Sequence, residues 1–484
     1  MNTKLLRQKI LDLAIRGKLT DQCKSDGTAR ELLEQISASC HPEQSSKSAK
    51  SKNLTPITPL DKSEAPFEIP DNWEWVHLQD VGELSRGKSK HRPRNDPALY
   101  VDGFMPFVQT GDVAGAEKGL ICKWHSLYNE LGVAQSRIWP RGTICITIAA
   151  NIGDVALLNF DACFPDSVVG FNAYKPIYSN KFFLFYLMLC KEKLDEKSRS
   201  TAQKNINIDI LSQIYVPLPP LAEQQRIVEK IEETFAEIDA VEKNKELLKK
   251  HIKQTRKKIL DLAIHGKLVP QDENDEPASV LLERITRDNP HYEKLTDVPF
   301  EIPDSWEWVK LGDVGLYKKG PFGSALTKSM FVPKGPNTVK VYEQKNAIQK
   351  NESLGDYYIT KDYFNSVMKG FEVRPGDILV SCAGTIGETF ILPSGCEQGI
   401  INQALMRMKI FSFVNDKYFL YYFDFVLKTL SEKEGKGTAI KNIPPFAVFK
   451  TFPFPLPPLA EQKRIVDRIE EIFASLDQIS LHLV

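Results

Sequence analysis

The chain repeats itself, and the order of the repeated pieces restricts its architecture more than any other feature. FEIPDNWEWV at Phe67–Val76 recurs as FEIPDSWEWV at Phe300–Val309, an offset of 233 residues. PLPPLAEQQRIVEKIEE from Pro217 returns as PLPPLAEQKRIVDRIEE from Pro455, an offset of 238. KILDLAIRGKL at Lys9 returns as KILDLAIHGKL at Lys258, an offset of 249. Fainter echoes keep the same order. GTICITIAANIG at Gly142–Gly153 parallels GDILVSCAGTIG at Gly376–Gly387, and STAQKNI from Ser200 parallels GTAIKNI from Gly437. A self-match this long and this ordered marks two structural repeats.

In mid-chain, PLPPLAEQ and KILDLAIHGKL share one continuous segment, whereas at the ends that segment is split. Its second half opens the chain and its first half closes it. By the offsets of 249 and 238, Met1 corresponds to Lys250 and Val484 to Glu246. The termini together therefore rebuild a second copy of the central segment, lacking only the equivalents of Leu247, Leu248 and Lys249. The expectation is that the termini meet and close a circular pseudo-dimer with an internal two-fold axis.

Length bounds the rest: 484 residues suffice for two to four domains with cores of their own. With 42% hydrophobic and 26% charged residues, wholesale disorder is excluded. Lys plus Arg and Asp plus Glu both total 63, so no net positive charge is available to hold a polyanion. Any such partner must be met by local clusters. The eight cysteines form no C-x-x-C pair, which fits reduced thiols in a cytoplasmic protein. The N-terminus lacks a signal-peptide core, and the apolar run Phe182–Cys190 is too short to span a membrane.

From Leu221 to about Leu268 there is no Pro and one Gly, with PLPP before it as a helix start and Gly266 as a stop. Ile231, Phe235, Ile238, Val241, Leu248, Ile252, Ile259 and Leu262 recur at helical steps. The segment reads either as one long helix within a bundle or, with the split copy, as an antiparallel two-helix spacer. Between the helices, Phe67–Val216 and Phe300–Phe454 mix alternating strand-like stretches (WEWVHL, WEWVKL) with one helical stretch each, FFLFYLMLCKEKL and YFLYYFDFVLKTL. The fold class expected is α+β: two mixed α/β globules separated by two long antiparallel, coiled-coil-like helices in a circular pseudo-two-fold. The expected segments are 1–36 (half of the distal spacer helix), 37–66 (linker), 67–216 (first globule) and 217–285 (central spacer helix region). Residues 286–299 (linker), 300–454 (second globule) and 455–484 (the other half of the distal helix) complete the chain. The first linker is polar and aperiodic, and the second is 16 residues shorter, as suits a tether.

The doubled PLPPLAEQ-x-RIV and KILDLAI-x-GKL, alternating with globules that open on IP-x-x-W-x-W, resemble the DNA-specificity subunit of type I restriction–modification enzymes along the whole chain. That resemblance implies two target-recognition domains, each reading one half of an interrupted site in double-stranded DNA, held apart by paired helices. It also implies two methyltransferase (modification) subunits docked on the helices and two ATP-dependent restriction/translocase subunits. The partners, and not this chain, carry AdoMet, ATP and metal, so the chain alone is expected to be non-catalytic and to bind no cofactor. A standalone methyltransferase–nuclease and a coiled-coil scaffold with protein- or sugar-binding globules are the competing classes.

Motifs that resemble catalytic ones read as structure. Asn442-Ile443-Pro444-Pro445-Phe446 differs from an amino-methyltransferase motif because Ile443 separates Asn from Pro. Asp304, Glu307 and Lys310 have the wrong spacing for a nuclease set, and His77 replaces the lysine in the other copy. Ala383–Gly387 is a glycine turn without the Lys-Ser/Thr of a phosphate loop. Candidate DNA contacts are local. Arg86, Lys88, Lys90, Arg92 and Arg94 form the densest basic run of the first globule, matched in the second by Lys318, Lys319, Ser324 and Lys328. Thr201, Gln203 and Lys204 pair with Thr438 and Lys441, the variable position being Gln203 against Ile440. The basic run reads equally as a solvated surface, and the second pair as a loop leading into the long helix.

Overall fold

The division between the two repeats falls inside the longest helix. In the computed structural model, which describes residues 2–39, 57, 59–60, 65–91, 93, 95–177, 179–199, 206–288, 292–293, 295–383, 385–433 and 446–483, the chain separates into Met1–Asn244 and Lys245–Val484. Most of the 37–66 segment, and part of 286–299, lie outside the described residues.

In the first unit, helix α1 (Thr3–Ile15) is followed by α2 (Ala29–Ser39). The unit continues through β1 (Glu74–His77), β2 (Gly82–Arg86), helix α3 (Lys181–Arg199) and β3 (Tyr215–Leu218) into helix α4 (Leu221–Ile264). The opening segment 1–36 is thus two helices rather than one. Gly17 adopts φ +64°, a left-handed conformation that ends α1, and a Cβ there would overlap the ring of Pro70. The second unit repeats this: α4 stops before Gly266, whose φ is also +64° and which packs on Pro303. It goes on through α5 (Ala278–Asp288), β4 (Glu307–Lys310), β5 (Gly315–Lys319), α6 (Asp416–Lys433), β6 (Pro453–Leu456) and α7 (Leu459–Leu481).

Each globule contains two larger sheets. In the first, the five-stranded sheet runs β2, Val168–Ala173, Ile144–Thr147, Val155–Leu158, Leu120–Ile121, and a four-stranded sheet is centred on Met105–Phe107 and Ala162–Cys163. In the second, β5 edges a four-stranded sheet with Leu405–Ile410, Ile378–Ser381 and Thr389–Ile391, beside another centred on Thr338–Tyr342 and Gly399–Ile401. Most pairings are antiparallel, with parallel pairs such as Lys340↔Gly399 among them, as the α+β reading expects.

Helices and globule share one core in each unit. Ile10 and Leu11 of α1, Leu32 and Ile36 of α2, Phe183 of α3 and Ile227, Ile231 and Ile238 of α4 belong to one buried cluster with Trp73. Leu260, Leu281, Phe419, Ile465 and Ile469 do the same around Trp306. Burial of this apolar surface, worth about 25 cal/mol per Å², holds each globule on its own helix segments. α1 lies antiparallel to the first part of α4: Arg7 bonds Asp239 at 2.5 Å, while Gln22 reaches Glu223 at the other end. α7 lies antiparallel to the later part of α4, with Arg256 on Asp477. Arg7 sits over Phe235 at 4.9 Å and Arg256 over Phe473 at 4.5 Å, so the same cation–π stitch recurs in each unit. The apolar rhythm of α4 is not buried throughout. Val241 and Leu248, both part of that rhythm, remain 48% and 39% exposed.

Candidate nucleic-acid interface

The strongest repeated motifs build the base on which each globule sits. β1, which opens the first globule, pairs antiparallel with β3, which closes it, Trp75 opposite Pro217 and Val76 opposite Val216. β4 and β6 pair identically, Trp308 opposite Pro455. The next residues start α4 and α7, and there Glu223 and Glu461 are fully buried. Glu223 accepts a hydrogen bond from the indole Nε1 of Trp73 at 2.8 Å and another from Nε2 of Gln22. Glu461 accepts from Trp306 at 2.8 Å and from Gln271 at 2.6 Å. Each carboxylate thus ties three distant segments together: the start of the long helix, the opening of the globule and the turn after the preceding helix.

Burial pushes both glutamate pKa values up, and the indole and amide donors pull against it. Beside them Arg226 forks onto Asp26 with bonds of 2.9 and 2.5 Å, and Arg464 onto Asp275 at 3.0 and 2.6 Å. The hydrogen bond from Arg226 holds the Asp26 carboxyl below its usual range. Lys181 of α3 on Glu232, at 2.5 Å, and Lys417 of α6 on Glu470, at 2.6 Å, add a further matched bond between globule and helix. As sequence, the PLPPLAEQ motif reads as helix punctuation alone. The signal that points further is that Gln, Trp and Glu all keep their identity between copies, and a buried Glu requires donors.

From these bases project the cationic edges. In the first globule, Arg86 ends β2 opposite Val169, and the Gly87 amide that follows donates to Val168 O at 2.9 Å. A Cβ at Gly87 would overlap the carbonyl oxygens of Phe164 and Pro165. The Lys88 amide donates to Phe164 O at 3.0 Å, the Ser136 hydroxyl donates to Lys88 O at 2.6 Å, and Gln135 Oε1 accepts from the amides of Lys90 and His91. Gly87 and Ser89 are buried while Arg86, Lys88 and Lys90 are exposed, so the alternation of β2 carries on past its last residue. Among the described residues no carboxylate pairs with these three cations. They form a comb of charge on a fixed backbone.

The second globule repeats the device at the offset of 233: Gly320 follows Lys319, donates to Leu405 O at 2.9 Å, and has no room for a Cβ against Asn402. Lys318 and Lys319 are exposed, the Lys318 ammonium lying 4.9 Å from the Phe371 ring centroid. Ser324 and Lys328 are exposed on the two short turns that follow. Arg92, Arg94, Thr201, Gln203, Lys204, Thr438 and Lys441 lie outside the described residues.

The motifs resembling catalytic ones hold no catalytic geometry in the described residues. Glu307 and Lys310 lie on β4, the Lys310 ammonium pairs with Glu293 at 3.0 Å, and Asp313 caps the turn beyond. Gly387, at φ +87°, closes a tight turn between Ile378–Ser381 and Thr389–Ile391 and donates to Ser381 O. Asn442–Pro445 falls outside the described residues. Among the described residues no group of three His, Cys, Asp or Glu is placed to hold a metal, and no helix is long and apolar enough to cross a membrane.

Comparison with known proteins follows the same two-unit division. The family model for the type I restriction modification DNA specificity domain matches twice, over residues 70–250 and 303–481. The chain is 24% identical to the type I restriction enzyme EcoAI specificity subunit of Escherichia coli, over 98% of this chain and 90% of that one. It is 25% identical to the EcoEI specificity subunit of Escherichia coli, over 99% and 90%. In fold it resembles the crystal structure of the HsdS subunit from Thermoanaerobacter tengcongensis, with a TM-score of 0.52 at 19% identity, covering 86% of this chain and 94% of that one. Two welded bases, two cationic edges and two matches of one family model lead to a single assignment: the chain belongs to the type I restriction modification DNA specificity domain family.

Proposed function

We propose that this chain is the sequence-reading subunit of a type I restriction–modification complex and that each globule reads one half of a bipartite, interrupted site in duplex DNA. The observation that carries this reading is the double family match, one per unit, each unit presenting exposed lysines on a fixed strand edge. α4, with 44 residues, rises about 66 Å at 1.5 Å per residue. It acts with α1 and α7 as the spacer that fixes the distance between half-sites. Two methyltransferase subunits dock on this helical region, and two ATP-driven restriction subunits join them in the cytoplasm. Chemistry belongs to those partners, and this chain contributes address alone.

Two outcomes check this. A four-residue insertion in both spacer helices adds about 6 Å, or about two base pairs. The unspecified spacer of the methylated site is expected to lengthen by that amount while both half-sites stay the same, and an unchanged spacer in modified-base sequencing would remove the helices from this role. Replacing Arg86, Lys88 and Lys90 together by Ala removes three exposed cations. Affinity for duplex DNA is expected to fall, and the slope of log K against log salt to flatten by about 0.9 for each phosphate no longer neutralised. An unchanged slope in a salt titration would take the first cationic edge off the DNA.

A further inference from the structure

Resting on the DNA reading above, we propose that Phe322 is an apolar base-contacting residue of the second globule, pressed against base edges or wedged at a base step while the surrounding lysines hold phosphates. Phe322 is 88% exposed, more than any other large hydrophobic side chain among the described residues. An exposed ring on a loose loop folds back onto apolar surface, but this backbone is fixed on both sides. Before it, Gly320 is pressed on Asn402 and bonded to Leu405 O at 2.9 Å, and Pro321 is buried. After it, the Ala325 carbonyl accepts from the Tyr363 hydroxyl at 2.8 Å, and Leu326 is buried in a cluster with Val339, Val341 and Phe364. The ring is therefore held out into solvent.

Charge around it points to the occupant. Lys318, Lys319 and Lys328 lie within six residues of Phe322 and are exposed, and no carboxylate pairs with them among the described residues. Lysines that flank a projecting aromatic along the chain suit a polyanion that also offers flat apolar faces and methyl groups, which is duplex DNA. The first globule lacks the feature. At the offset of 233 Phe322 corresponds to Ser89, which is buried and lies 3.3 Å from the Tyr128 hydroxyl. The contact is thus specific to the second half-site.

The test uses the full chain assembled with its methyltransferase partner and a duplex carrying the site obtained from modified-base sequencing. Phe322→Ala is expected to raise Kd about 5- to 150-fold, the range for removal of one base–aromatic stack, with Phe322→Leu between it and the wild type. Assembly and salt slope are expected to stay unchanged, and tolerance of mismatches to rise in the second half-site alone. Substituting deoxyuridine for thymidine at each position there shows whether a methyl group is the contact. Unchanged Kd and mismatch tolerance in Phe322→Ala would overturn the proposal. So would a loss traced to failed assembly, which would make Phe322 an anchor for the partner protein. If Phe322→Ala melts lower than the wild type, Phe322→Leu decides by the same two readouts. Failure of the DNA reading itself is visible without any variant, as a wild-type complex that prefers no duplex sequence.

Discussion

Exchange of the first globule, Phe67–Val216, for that of another family member is expected to replace one half of the modified site completely and leave the other half untouched. The expectation follows from how the globule is attached. Its two ends are zipped together by β1 and β3: Val76 opposite Val216 and His77 opposite Tyr215 lie inside the exchanged piece, while Pro217 and Leu218 of the host meet Trp75 and Glu74 of the graft. Its link to the rest of the unit is the shared apolar core, with polar bonds that include the indole of Trp73 on Glu223 and Lys181 on Glu232. A donor that keeps a Trp at 73 and a Lys at 181 retains both. The other unit has its own core around Trp306 and its own weld at Glu461. Sequencing of modified bases reads the outcome directly, and a change in both halves would mean that the globules do not read independently.

The second large effect concerns that weld. Glu223→Ala leaves the fully buried Nε1 of Trp73 without its acceptor, and an orphaned buried donor costs about 1–3 kcal/mol. Poorer packing at the same position adds to this, so a total of about 2–4 kcal/mol is expected, read as a lower midpoint in thermal or urea unfolding. Glu461→Ala does the same to Trp306 in the second unit. Glu223→Gln keeps an acceptor for the indole and removes a buried charge, so its loss is expected to be much smaller. If Glu223→Ala and Glu223→Gln melted alike, the indole–carboxylate bond would not be what matters.

The same pair makes a pH prediction with a definite sign. Because burial raises both carboxyl pKa values above the ordinary 4.5 in the folded chain, folding favours their protonated forms. Their pH-linked contribution is fully present below pH 4.5 and is lost as pH rises through the folded value. Substituting Gln at 223 and 461 is expected to remove this component from a profile of unfolding free energy against pH. A profile that kept its slope just above pH 4.5 would assign that slope to other groups.

Much of the architecture is legible in the sequence because the repeats are long and their order is circularly offset. The helix from Leu221 to just before Gly266, the one long helix in each globule and the mixed sheets all follow from periodicity and punctuation that the chain states twice, whereas short helices such as Thr110–Ala114 and Gln344–Ile348 do not. Local patterning does not show where burial stops along a helix: Val241 and Leu248 keep the helical rhythm and stay exposed. It also makes the opening segment one helix, whereas Gly17 breaks it in order to pack on Pro70, a neighbour 53 residues away. The cationic edges are visible as composition. Their alternation, Lys88 and Lys90 out with Ser89 in, lies beyond the end of β2 and depends on bonds from Gln135 and Ser136. The glutamate welds are the least visible, because Trp73 and Glu223 are 150 residues apart and only the fold joins them.

The most direct measurement of the central claim is sequencing of modified bases in DNA from cells that express this chain with its methyltransferase partner. Two short specified elements separated by an unspecified spacer of constant length are the predicted result. A single uninterrupted site, or modification independent of this chain, would contradict a reader with two heads on a fixed spacer.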